Sequence, residues 1–158
     1  MPIPNPDPVP KYPLGIMAQQ ILTIDVNDGE GWLAIDRLAW PDGTLFTESV
    51  SGSYGIDDVS LAVYDEDGAD PTTAIYTASP NLAVATPGGV LYDALQTDGY
   101  WTLDSTGYNF RHWILPTLFV REGGHVYRAE YTFNPDSSNV FGRAVWARRY
   151  RVQAMVST

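Results

Sequence analysis

The string Asp65-Glu66-Asp67-Gly68-Ala69-Asp70 gathers four carboxylates within six residues around one glycine. Hard cations such as calcium bind several carboxylate oxygens on a tight loop, and a glycine eases the turn. Asp65, Asp67 and Asp70 are therefore calcium candidates. The spacing departs from a calcium loop at its twelfth position, where a bidentate Glu belongs and Tyr76 stands. The same string also reads as an acidic turn between two strands. The two histidines, His112 and His125, fall in alternating apolar patterns, and with Glu122 they lack the close spacing of a zinc set. Partly buried strand histidines are the plainer expectation.

Nucleophilic chemistry has less support. Ser51-Gly52-Ser53-Tyr54-Gly55 misses a nucleophile elbow by its first glycine, and no strand-to-helix setting surrounds it. Nineteen acidic residues offer pairs for glycoside hydrolysis, but no spacing selects one. The expectation is a non-enzymatic protein without a cofactor. There is no cysteine, so the fold uses neither disulfides nor thiolate chemistry.

Two groups of residues suit binding better. Tyr92, Tyr100, Trp101, Tyr108, Phe110 and Trp113 lie within 22 residues. Such rings serve as core, as interface anchors, or as a stacking platform for sugars, for which Tyr100, Trp101 and Trp113 are the candidates. Near the C-terminus, Arg143, Arg149 and Arg151 share one face of a strand pattern. The other face carries Ala144, Trp146, Tyr150 and Val152, interrupted by Arg148. The guanidinium fork suits bidentate pairing with a partner's carboxylates, and an exposed basic strand is the alternative.

The elements that would position these groups read as strands. Leu22, Ile24 and Val26 alternate, as do Val59, Leu61 and Val63, then Tyr108 to Ile114, then His125 to Phe133. Turn signals such as Asn27-Asp-Gly, Pro41-Asp-Gly43, Pro87-Gly-Gly89 and Asp98-Gly99 separate such runs every 8–14 residues. Ser49–Asp58 reads as a surface loop. The last strand is expected from Val140 to about Val156, although Ala144–Met155 also has the texture of a helix. The pattern predicts an all-β, antiparallel β-sandwich of immunoglobulin-like or jelly-roll type. It spans residues 16–158 as one domain.

Residues 1–15 differ. "MPIPNPDPVPKYP" holds six of the chain's twelve prolines. Proline fixes φ, removes a donor and pushes its predecessor to extended backbone, so a stiff polyproline-like arm is expected, about 40 Å long. Its prolines recur at period two rather than the period three of a PxxP ligand. It would bind by packing Ile3, Val9, Pro10, Tyr12 and Pro13 and by accepting hydrogen bonds.

The net charge is −10. Residues 1–110 carry 16 acidic against 2 basic residues, and residues 111–158 carry 3 against 7. The acidic bulk argues against nucleic-acid and anionic-membrane partners. No leader peptide and no apolar run long enough to span a membrane is read. The asymmetry suits either a solvated acidic surface or acidic-to-basic packing between subunits.

The stretch from about residue 59 to 133, with "VYDEDG" after a strand and "GGHVYRAEYTF" as a glycine-led tyrosine strand, resembles small β-sandwich virion proteins of tailed bacteriophages. These are capsid decoration and tail accessory proteins. The resemblance implies a structural role on the capsid surface or tail, with a major capsid or other virion protein as partner, and self-association into a homo-oligomer. The alternative is a carbohydrate-binding module or adhesin that uses the aromatic platform, with or without calcium.

Overall fold

A computed structural model describes residues 21–48, 55–85, 88–97, 107–135 and 142–154. The described chain is all-β and forms two sheets around one shared core. The strands are β1 (Thr23–Val26), β2 (Trp32–Asp36), β3 (Thr47–Glu48), β4 (Gly55–Asp65), β5 (Tyr76–Thr77), β6 (Leu91–Gln96), β7 (Tyr108–Ile114), β8 (Val126–Pro135) and β9 (Ala144–Val152). The large sheet has the order β1-β9-β8-β4-β3, with β5 also paired to β4, and the small sheet is β2-β7-β6. This is a β-sandwich, as the strand spacing predicts. Antiparallel pairing dominates, but β1 runs parallel to β9 and β3 runs parallel to β4. The β1–β9 pair is not visible in strand spacing, because it joins distant parts of the sequence, whereas β3 and β4 are close in sequence and share only two residue pairs.

The core follows from alternation. Ile56, Val59, Leu61 and Val63 of β4 face inward, as do Tyr127, Ala129, Tyr131 and Phe133 of β8, and all are at most 1% exposed. Aromatic rings join the sheets. Trp32 stacks on Tyr150 at 4.9 Å and 12°. Phe110 meets Tyr131 and Trp146 edge-on at 5.0 and 5.1 Å. Such pairs add to area burial because ring edges are positive and faces negative. The dense run of aromatics around residues 92–113 is thus divided, with Phe110 buried and Trp113 exposed.

Three sequence expectations need correction. Ser49–Asp58 is not one loop: β4 begins at Gly55, and Ile56 is 1% exposed. Its two aspartates mimic a turn, yet Asp58 holds the side chains of Asn134 and Asn81 across the surface. The helical option for Ala144–Met155 gives way to β9, which is hydrogen-bonded between β1 and β8. The final strand, expected from Val140 to about Val156, shortens to Ala144–Val152. The Asp98-Gly99 turn signal and the residues after it, up to 106, lie outside the described residues.

The crossing from β2 to β3 is pinned from inside. Pro41-Asp-Gly43 turns the chain, and Gly43 donates to Trp40 O at 2.9 Å. Asn109, fully buried on β7, accepts from Leu38 N at 2.6 Å and donates to Leu38 O at 2.9 Å and Phe46 O at 3.2 Å. One side chain thus serves Leu38 N and Phe46 O and shares Leu38 O with the Phe46 N–H. At one end of the sandwich Arg121 donates to Glu30 O, Ile114 O and Leu115 O at 2.7, 3.2 and 2.8 Å. Its guanidinium lies 3.9 Å from the Trp32 ring centroid, and burial lowers its pKa.

Candidate functional site

The acidic loop after β4 is engaged within the molecule. Asp65 meets His125 Nδ1 at 2.9 Å and accepts from Asp67 N at 3.0 Å. Glu122 approaches the other ring nitrogen of His125 at 3.2 Å. Asp67 accepts from Val126 N at 2.7 Å. Asp70 accepts from the Thr72 and Thr73 hydroxyls at 2.8 and 2.6 Å, which lowers its pKa. Each candidate calcium ligand therefore serves a turn or a neighbouring strand. Among the described residues no three His, Asp or Glu side chains converge to hold a metal ion. His125 lies just ahead of β8 rather than within it. Its hydrogen bond to Asp65 is the largest cause of a raised pKa. His112 sits on β7 with its Nδ1 2.8 Å from the Tyr131 hydroxyl, and burial lowers its pKa to about 4.

The arginines of β9 are also engaged internally. Arg149 bonds Glu66, and Arg151 bonds Asp25 at 3.2 Å. Arg149 stands directly opposite Arg128 on β8, a repulsive register. Glu66 lies between them, 3.6 Å from Arg128, which also pairs with Glu130 at 2.8 Å. The basic C-terminal part thus pairs with Glu66 and Asp25 of its own chain. Arg143 is exposed just ahead of β9. Of the sugar-platform candidates, Trp113 is 45% exposed, and Tyr100 and Trp101 lie outside the described residues. The arm residues Ile3, Val9, Pro10, Tyr12 and Pro13 lie outside them too.

The two outer faces of the sandwich contrast. The large sheet presents the Glu66, Arg128, Glu130 and Arg149 network. On the small sheet Ile35 and Tyr108 form a second apolar cluster, only 4% and 8% exposed, with Leu33 and Tyr92 packed on it, and Trp113 nearby is 45% exposed. Outward-facing positions of a sheet are normally polar, so this face is the anomaly.

Beside it runs a groove of about 290 Å³ along the open side of the sandwich. Ile24 and Val26 of β1 form one wall, and Leu33 and Ile35 of β2 the other. Tyr150 closes the base, donating to Leu33 O at 2.9 Å. Trp113 forms the rim over Gly31, where a Cβ would come within 3.1 Å of the indole. A larger residue there would push the indole outward by a few tenths of an ångström. Arg148 points inward from β9 with its guanidinium 4.6 Å from the Trp146 ring centroid. Its Nε is buried without an acceptor among the described residues. Spacing flags only Arg148 and Trp113, because the other walls come from strands distant in sequence.

No helix among the described residues is long and apolar enough to cross a membrane. No protein-family model, no curated protein and no solved structure matches the chain, so its chemistry must be argued from these residues alone.

Proposed function

We propose that this chain is a non-enzymatic structural protein that works by binding other proteins. Its place would be a tailed-phage virion, as a capsid decoration or accessory subunit that also self-associates. The observation that carries the binding reading is Trp113, an indole 45% exposed at the rim of an apolar groove. Protein interfaces are anchored by partly wet aromatics in apolar surroundings. The engaged carboxylates and histidines point the same way, since the polar clusters hold the fold together. The virion assignment rests on the sequence resemblance, and the sandwich itself is of the immunoglobulin-like or jelly-roll kind.

Sedimentation of the full chain over a wide concentration range tests the binding reading. Concentration-dependent self-association supports it. A monomer throughout, with sugars retained on a glycan array, would favour the carbohydrate-binding alternative, for which exposed Trp113 is the supporting feature. Neighbouring genes test the virion assignment: a terminase, portal or capsid gene supports it, and a cellular operon contradicts it.

A further inference from the structure

We propose that the groove between β1 and β2 receives the proline-rich arm, residues 1–13, of a second copy of this chain. The inference deepens the binding reading and rests on it. Three features of the groove and two of the arm carry it.

First, the groove lies between strands that end their sheets. Among the described residues, β1 is the outermost strand of the large sheet and β2 of the small one. Extended segments dock where edge strands leave backbone groups unpaired. Second, its walls are apolar and its rim is the Trp113 indole, a surface on which proline rings pack. Third, the buried polar group there is a donor. Arg148 Nε has no acceptor among the described residues, and a guanidinium has nothing to accept with.

The arm matches on both counts. Six prolines in thirteen residues leave it rich in carbonyl acceptors and poor in N–H donors. Period-two spacing puts prolines on every face, so a groove need not select one. Asp7 lies mid-arm and supplies a carboxylate for Arg148. A stiffened segment also loses less entropy on docking than a flexible tail.

The partner is a second copy because of length. A polyproline-like arm of thirteen residues reaches about 40 Å. A domain of this size measures roughly 35 Å across. Only seven residues separate Pro13 from Ile21, the first described residue, which lies two residues before β1. An arm that can reach farther than its own domain is wide suits a groove on another molecule.

The absence of cysteine makes the test clean. Two full-length variants, Val9→Cys and Leu33→Cys, are mixed and oxidised. A disulfide joining arm to groove should form well above random pairing. It should fall at least tenfold when the groove chain also carries Trp113→Ala, and similarly when the arm chain carries Asp7→Asn, which cannot disturb the sandwich core. Cross-linking at the random level would overturn the proposal. So would ready closure within one chain by the double variant when the mixed single variants fail to link. If the chain still self-associates in sedimentation without that cross-link, the arm placement fails and the binding reading stands. If it is monomeric throughout, both fail.

Discussion

Replacing Asn109 should be among the most damaging single changes in the sandwich. Its side chain is 0% exposed and makes three hydrogen bonds to the β2–β3 crossing. In Asn109→Ala, Leu38 O keeps the Phe46 N–H at 3.0 Å, so it is not orphaned. Leu38 N and Phe46 O lose this partner in residues only 8% and 5% exposed. An unsatisfied buried group costs about 1–3 kcal/mol, so two of them together with a small cavity cost roughly 3–5 kcal/mol. With a urea m-value of about 2 kcal/mol/M, the midpoint should fall by roughly 1.5–2.5 M. Tryptophan fluorescence during urea titration reads this directly. Asn109→Asp adds a sharper check. It retains the acceptor for Leu38 N but turns a carboxylate toward two carbonyls, so its folded pKa should rise. That variant should then gain stability as pH falls, because the protonated acid can donate again. A midpoint shift under about 0.3 M for Asn109→Ala would refute the argument that this side chain pins the crossing.

The two histidines should titrate in opposite directions, His125 above 6.5 and His112 near 4, as imidazole NMR shifts would show. His125 contributes stability that is present below pH 6.5 and lost as pH rises through its raised folded pKa. Asp65→Asn should shrink that limb in melting temperature against pH, with Glu122 keeping a remainder. His112 acts the other way: its contribution is intact above pH 6.5 and lost as pH falls towards 4, by about 3 kcal/mol in total, and His112→Gln should flatten that acid limb. Arg121→Met removes the donors to three carbonyls at the end of the sandwich and should cost roughly 2–4 kcal/mol, a melting-temperature fall of about 4–16 °C by calorimetry.

Much of the sandwich is legible in the sequence because strand alternation is local. The inward sets of β4 and β8 are readable residue by residue from period two. The turn at Pro41-Asp-Gly43 is legible for the same reason, since its chemistry lies in adjacent residues. What depends on pairing is not. The parallel partnership of β1 with β9 joins residues more than 120 positions apart. Asn109 looks like any strand asparagine until Leu38 and Phe46 are brought to it. The arginines illustrate the same limit. Their shared face was readable, but their engagement by Glu66 and Asp25 depended on which strands lie alongside. Arg148 was visible as an interruption of an apolar face, and that interruption marks the groove.

The account turns on the claim that the apolar groove rimmed by Trp113 is where this protein meets others. Sedimentation velocity of the full chain and of Trp113→Ala, over the same concentration range, tests it most directly. The side chain is 45% exposed and the rest packs on its own chain, so the substitution should cost about 1–2 kcal/mol and leave the sandwich folded, which circular dichroism checks. The account predicts an oligomer that grows with concentration in the parent chain and dissociates in a folded Trp113→Ala. A parent chain that stays monomeric, or a variant that associates as strongly as the parent, would contradict it.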